Sequence, residues 1–153
     1  MAHIHEKIDF CTDTYIVNND AVLLRMHEKY KVWLTPGGHI ELDEDPVQSA
    51  LREVEEETGL KVTFLGQVQN IEGDKGKNLL APRFINRHFI NDIHEHISFI
   101  YFAMSKSREV VPQEGEVQTE TRWFTKKELA DPQFGVPPAI QYYAKVALEA
   151  AKK

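Results

Sequence analysis

The chain has 153 residues, a length that suits one domain, and we expect a single domain over residues 1–153. Its hydrophobic fraction of 42% and charged fraction of 27% are typical of folded globular proteins and exclude a disordered chain. Acidic residues outnumber basic ones 24 to 18, and the resulting net charge of -6 argues against binding of long nucleic acids or anionic membranes. No apolar stretch approaches the roughly 20 residues of a membrane span and no signal peptide is evident, so we expect a cytoplasmic protein.

The first predicted element is a β-hairpin. Residues 8–17 and 21–25 have strand-like composition, and an Asn-Asn-Asp turn separates them. A short apolar piece at 32–34 then leads into Thr-Pro-Gly-Gly at 35–38, which predicts a loop. The single cysteine, Cys11, falls within the first strand, where packing explains it better than thiolate chemistry.

A helix is predicted to begin at Pro46 and to end at Gly59. Asp45 is a suitable N-cap, proline suits the first helical position, and Gln48 stands where a capping box needs its partner. Glycine is the usual residue just past a helix end. Four apolar residues follow the helical period and predict a stripe that faces the core: Val47, Ala50, Leu51 and Val54.

The second half of the chain is predicted to contain strands at 61–72, 96–105 and 121–124, a helical turn at 126–130 and a closing helix at 139–152. The strand at 96–105 is apolar almost throughout, which predicts a central strand buried on both faces. Residues 73–95 are charged and aromatic with some strand character, and we interpret them as a long functional loop. Strands interspersed with two main helices predict an α/β fold, a mixed sheet between helices.

Three glutamates of the first helix form the strongest chemical signal. Glu53, Glu56 and Glu57 are spaced i, i+3, i+4 and therefore share an arc of about 100° beside the apolar stripe. Like charges at these spacings destabilise a helix by a few tenths of a kcal/mol per pair, so the grouping calls for an explanation. The alternative to a metal site is a solvated acidic face. Grouped carboxylates suit Mg²⁺ or Mn²⁺. Arg52 lies four residues before Glu56 and can orient its carboxylate.

Residues 38–60 read Gly-x5-Glu-x7-Arg-Glu-Val-x-Glu-Glu-x-Gly-Leu and resemble the Nudix box of MutT-like hydrolases at every specified position. The resemblance implies a Nudix fold, with a mixed β-sheet sandwiched between α-helices and a loop–helix–loop catalytic box. It also implies Mg²⁺-dependent hydrolysis of a diphosphate linkage, with Mn²⁺ as the alternative ion. The metal ligands that it implies are Glu53, Glu56, Glu57 and the carbonyl of Gly37, supported by Arg52 and Glu44.

We expect Glu53 to be the general base, because a carboxylate within reach of the attacking water can accept its proton. In this family the base sometimes comes from outside the box. Three other acids therefore remain candidates for the base or for an extra ligand, against the alternative of ordinary exposed loop acids: Glu95, Glu116 and Glu120.

Substrate contacts are expected from the basic cluster at 75–88 and from residues around the box. Arginine grips phosphate bidentately, so Arg83 and Arg87 are the predicted phosphate clamp, with a solvated basic loop as the alternative. Trp33 could stack on a base or pack in the core, and His39 follows the double glycine. Two pairs of alternating histidines place both imidazoles on one face of an extended chain: His94 with His96, and His3 with His5. Such a pair could hold a transition metal, an interpretation that we place below substrate binding.

The sequence thus predicts a metal-dependent pyrophosphohydrolase that acts on a nucleoside di- or triphosphate or a related small molecule. One alternative is a Nudix-type nucleotide-binding or regulatory module without catalysis, and another is an RNA-end pyrophosphohydrolase. We expect no long nucleic acid and no membrane as partner, and a monomer or homodimer.

Overall fold

The helices and strands follow the predicted order closely. The computed structural model describes residues 7–73 and 75–153, and the predicted pair His3 and His5 lies outside them. The elements are β1 (Ile8–Asn18), β2 (Ala21–His27), β3 (Val32–Leu34), β4 (Gly37–His39), α1 (Pro46–Thr58), β5 (Val62–Phe64), β6 (Phe84–Asn91), β7 (His94–Ser105), β8 (Thr121–Thr125), α2 (Lys126–Leu129), a 3₁₀ turn (Pro132–Phe134) and α3 (Pro138–Ala150). No helix in the described part of the chain is long and apolar enough to cross a bilayer.

A mixed sheet forms the centre of the fold. Its main path is β3-β2-β1-β7-β5, and β4, β6 and β8 pair with β1, β7 and β2 respectively. β1 and β7 run parallel from the Ile8–Glu95 pair to the Val17–Met104 pair, whereas the other strand pairs are antiparallel. β7 contacts three strands and buries its residues 100–103, which confirms the predicted central strand.

Each face of the sheet has its own core, with helices on both sides. Alternate residues of β1 divide between them, since successive side chains point to opposite faces. Tyr15 and Val17 pack towards Ala144 and Ala147 of α3, whereas Ile16 packs with Val54 of α1. This arrangement confirms the predicted α/β sandwich.

Helix α1 begins and ends as predicted, but its buried stripe differs. Asp45 and Gln48 form the capping box, and Gly59 is left-handed with φ 67°. Leu51, predicted to face the core, is 43% exposed. Ala50 and Val54 are buried as predicted, and Ser49 and Thr58 complete the buried stripe. Small side chains on this stripe let the helix lie close to β1 and β4, which a leucine there would prevent.

Three predicted boundaries were wrong. The strand expected over 61–72 spans only Val62–Phe64, after which Gly66 takes φ 131° and the chain leaves the sheet. The expected loop at 35–38 contains the start of β4, because Gly37 and Gly38 pair with β1. The long loop expected over 73–95 is cut short by the edge strand β6, which accounts for the strand character of this stretch and reads Phe-Ile-Asn-Arg-His-Phe-Ile-Asn.

The short helix α2 provides a test of local electrostatics. Glu128 accepts hydrogen bonds from the backbone N–H (2.9 Å) and hydroxyl (2.8 Å) of Thr125 and from Arg122 (2.6 Å). The hydrogen bonds from Thr125, which have the largest effect, and the bond from Arg122 lower the pKa of Glu128 from about 4.5 to about 2. A carboxyl group whose pKa is lower in the folded than in the unfolded protein stabilises the fold at any pH above its unfolded-state pKa. This stabilisation is lost as the pH falls towards 2.

We expect Glu128→Gln to lower the free energy of unfolding by about 1 kcal/mol at pH 7, because glutamine keeps the acceptor but not its charge. The deficit should shrink as pH falls from about 5 to 2. Urea denaturation across this range measures it, and a deficit that is constant with pH would contradict the prediction.

Candidate active site

The three glutamates of α1 lie next to the backbone of β4. The side chains of Glu53 and Glu57 are only 15% and 16% exposed, and that of Glu56 is 32% exposed. The glutamates lie here because α1 packs on β1 and β4 through small residues. Two of the three carboxylates are therefore largely withdrawn from water while remaining on one helix face.

Arg52 holds the box together. Its Nε and Nη2 atoms donate to the two oxygens of Glu44 at 2.5 and 3.0 Å. Nη1 donates to Glu53 at 2.9 Å and to Glu56 at 3.1 Å, and Nη2 also donates to the carbonyl of His39 at 3.1 Å. The hydrogen bond from Arg52 lowers the pKa of Glu44, and the same bond raises that of Arg52. One guanidinium thus ties α1 to the loop before it and to β4.

Glu57 is anchored separately, by a residue that the sequence reasoning missed. It forms an ion pair with Arg25 of β2 and accepts a hydrogen bond from the Gly37 N–H at 2.9 Å. Arg25 is itself mostly buried, and its Nε is buried without a hydrogen-bond partner. A lone arginine in the apolar run Ala-Val-Leu-Leu-Arg-Met was the available signal, because such a charge needs a buried partner.

Electrostatics at the site favour a bound cation. Burial raises the pKa of Glu53, opposed by Arg52 and reinforced by Glu57 and Glu56. Burial also raises the pKa of Glu57, opposed by Arg25. Four carboxyl groups stand against two guanidiniums, so the set has a formal charge of -2 that a hard divalent ion would neutralise. The three glutamates are divided between the two arginines instead of converging on one point.

Gly37 and Gly38 allow the chain segments of the box to approach each other closely. A Cβ on Gly38 would overlap the carboxylate of Glu53, and a Cβ on Gly37 would overlap the carbonyl oxygen of Thr12. Glu53 therefore reaches the backbone of β4 only because residue 38 lacks a side chain. At residue 37 the constraint is the main chain of β1, which cannot swing away.

We expect Gly37→Ala to destabilise the protein by about 2–3 kcal/mol, since the added methyl overlaps backbone and must separate β4 from β1. Chemical denaturation of the variant measures this cost. A variant as stable as the wild type would contradict the close approach of these two strands.

Two residues predicted to serve the chemistry are instead bound to each other. Glu95 is buried on β7 and pairs with Arg87 at 2.5 Å and with Lys7 at 3.1 Å. The hydrogen bond from Arg87 is the largest cause lowering the pKa of Glu95 to about 2. Burial of the Glu95 carboxylate requires these cations, so Glu95 and the Nε of Arg87 are already engaged with each other. The roles of base for Glu95 and phosphate clamp for Arg87 stay predictions.

Glu116 and Glu120, the other two candidate acids from outside the box, lie in different places. Residues 111–113 run along the end of α1, where Gln113 N–H donates to the Glu56 carbonyl at 2.8 Å. This brings Glu116 close enough to Glu57 to raise its pKa further. Glu120 is exposed beside β8, and its carbonyl accepts from Met26 at 2.8 Å. Glu116 remains the predicted extra ligand with structural support, and Glu120 remains a prediction.

The predicted substrate contacts are dispersed. Trp33 is 5% exposed and packs edge-to-face on Phe124 with ring centroids 4.9 Å apart, so it belongs to the core and cannot stack on a substrate. Arg83 is exposed, and its guanidinium lies 5.6 Å from the ring centroid of Phe102. His39 is exposed and lies near Asp9 and His96, on the face of the sheet that carries α3.

Comparisons with known proteins agree with this geometry. The model of the NUDIX domain family matches residues 11–146. A NUDIX-family hydrolase structure from Clostridium perfringens is 32% identical, covers 95% of this chain and 98% of its own, and superposes with a TM-score of 0.80.

Two curated relatives match over shorter regions. A probable DHNTP pyrophosphohydrolase of Lactococcus lactis subsp. cremoris is 28% identical over 106 residues, which are 69% of this chain and 60% of that protein. An m7GpppN-mRNA hydrolase NUDT17 of Xenopus laevis is 45% identical over 49 residues, 29% of this chain and 17% of that protein. The matched regions thus span less than two thirds of either curated relative.

Proposed function

This chain belongs to the Nudix hydrolase family, and on that premise we propose that it is a divalent-metal-dependent pyrophosphohydrolase acting on a small nucleotide-like diphosphate. The observation that carries the proposal is the set of three glutamates on α1, which lie beside the double glycine with an excess of negative charge. The two arginines that hold these glutamates offset only part of the repulsion among the carboxylates, and a divalent cation would offset the rest.

The proposed metal ligands are Glu53, Glu56 and Glu57 with the carbonyl of Gly37, and Glu116 as an extra ligand. These donors are all oxygen atoms, which favours Mg²⁺ and admits Mn²⁺. The ion, when bound, neutralises phosphate charge and lowers the pKa of a water molecule. The three glutamate ligands lie within about one turn of α1, so their spacing is set by the helix itself.

The remaining groups position these ligands and handle the proton. Glu53 is the proposed general base, because burial raises its pKa towards the range in which a carboxylate accepts a proton well. Arg52 fixes Glu53 and Glu56 from one side, with Glu44 fixing the arginine. Arg25 and the Gly37 N–H fix Glu57 from the other side.

A small substrate is favoured over a long nucleic acid by the net charge of -6. The Lactococcus relative is named for DHNTP, which makes that compound one candidate substrate. The second candidate function is RNA-end hydrolysis, which the name of the Xenopus relative suggests over a match of 49 residues.

A substrate panel tests the proposal. Nucleoside triphosphates, sugar nucleotides, dinucleoside polyphosphates, DHNTP and capped RNA are incubated with Mg²⁺ or Mn²⁺, and products are separated by chromatography. We expect cleavage of at least one small diphosphate that stops when EDTA removes the metal. Faster turnover of capped RNA would favour the RNA-end hydrolase. Tight nucleotide binding without turnover in either metal would favour the non-catalytic module and overturn the proposal.

A further inference from the structure

A second polar cluster lies at one end of the sheet, on the face that carries α3. It consists of Asp9 from β1, His39 from β4, and His94 and His96 from β7. The strand register brings them together, because Asp9 is opposite His96 and Cys11, two residues further along β1, is opposite His39. The Glu53 carboxylate belongs to a helix on the other face of the sheet.

The donor atoms of this cluster have the spacing of a metal site. One ligand atom from each of the four residues lies within 4.8 Å of all the others. His94 Nε2 is 3.0 Å from His96 Nε2 and 3.2 Å from Asp9 Oδ2, and His39 Nε2 is 3.5 Å from the same Asp9 oxygen. Ligands at about 2.0–2.1 Å from a tetrahedral Zn²⁺ are about 3.3 Å apart, which these distances bracket.

Hydrogen bonding alone satisfies the cluster poorly. Two Nε2 atoms that face each other at 3.0 Å can bond only if one of them carries the proton, so the two rings must adopt different tautomers or share a charge. A cation placed among the three imidazole nitrogens and the carboxylate oxygen would satisfy all four at once.

We propose that Asp9, His39, His94 and His96 bind a divalent transition-metal ion, with Zn²⁺ as the best-fitting example. Imidazole nitrogen suits Zn²⁺, Ni²⁺ and Cu²⁺, whereas Mg²⁺ and Ca²⁺ take oxygen ligands. The chain would then hold two metal sites of different chemistry. One has only oxygen donors and is served by α1, and the other is nitrogen-rich and is served by three strands.

The surroundings support a structural site. His88 of β6 lies beside His96, with ring centroids 5.5 Å apart, and its Nδ1 is 2.9 Å from Asn86 Oδ1. The ion would fasten β4 to β1 and β7. Because the carbonyl of His39 accepts a hydrogen bond from Arg52, fastening β4 also fixes one contact of the catalytic box.

Zinc binding to the chain of residues 1–153 without an affinity tag tests the proposal. The measurement is isothermal titration with Zn²⁺ in millimolar Mg²⁺, which occupies the carboxylate box, followed by Tm with and without Zn²⁺. We expect one Zn²⁺ per chain and a rise in Tm of about 5–10 °C at saturating ion. Co²⁺ substitution should give the visible absorption bands of a tetrahedral nitrogen–oxygen site.

The decisive variant is His94→Asn combined with His96→Asn, which keeps His3 and His5. Its affinity for Zn²⁺ should fall by more than about 100-fold, since even changes behind the ligands cost about 10- to 100-fold. His27→Gln, a histidine on β2 stacked on Tyr30, is the matched control and should bind normally, as should Glu56→Gln of the box. Unchanged zinc binding by the double variant, or no stoichiometric binding by the wild type, would overturn the proposal.

Discussion

Replacing Glu53 by glutamine is expected to lower kcat by about 10²- to 10⁴-fold, the usual contribution of a positioned general base. Glutamine keeps the size of the side chain and can still accept the hydrogen bond from Arg52, but it cannot take a proton or contribute a negative ligand. The loss should therefore appear in turnover of whichever substrate the panel identifies. Stability should stay the same or rise, because burial of the Glu53 carboxylate is unfavourable, as its raised pKa indicates.

The matched control is Glu55→Gln on the same helix. Glu55 is exposed and pairs with Lys61, so its replacement removes one helix charge without touching the box. Steady-state kinetics of both variants and urea denaturation of both separate catalysis from folding. A Glu53→Gln protein with wild-type turnover would show that another group takes the proton, and Glu57 and Glu116 would then be tested next.

Alanine at Gly38 is expected to lower kcat by about 10²-fold with little loss of stability. The new methyl overlaps the far end of the Glu53 side chain, which can swing aside at small energetic cost. A displacement of about 1 Å in a catalytic group can cost about 10²-fold in rate. Its neighbour Gly37 should respond in the opposite way, with a large loss of stability, because its methyl meets backbone.

A double-variant test shows whether Gly38 acts through Glu53. If the methyl works only by displacing that carboxylate, Gly38→Ala should add almost nothing to the loss already caused by Glu53→Gln. Kinetics of the two single variants and the double variant give the coupling energy. Additive losses would mean that residue 38 affects the reaction by another route, such as direct contact with substrate.

Local signals in the sequence predicted much of the fold and the core of the box. The capping box of α1 and its left-handed Gly59 depend on neighbours within four residues. The shared face of Glu53, Glu56 and Glu57 follows from helix geometry alone. The central position of β7 followed from its continuous apolar run. The helix caps and the shared face depend on residues near each other in the chain, and the apolar run of β7 is visible in the sequence itself.

Pairing across the sheet was decided only by the tertiary structure. Arg25 meets Glu57, and Glu95 is neutralised by Arg87 and Lys7, over separations that no local pattern encodes. The same holds for the position of Trp33 in the core.

The cluster of Asp9, His39, His94 and His96 is the clearest instance. The sequence predicted that His94 and His96 share one face of a strand. Asp9 and His39 join them only through the order and register of the strands. The chain by itself therefore determined which chemical groups are present and which lie on one helical turn. Only folding decided which charges are neutralised by partners and which remain to bind an ion, because burial and long-range pairing set the electrostatic environment of each group.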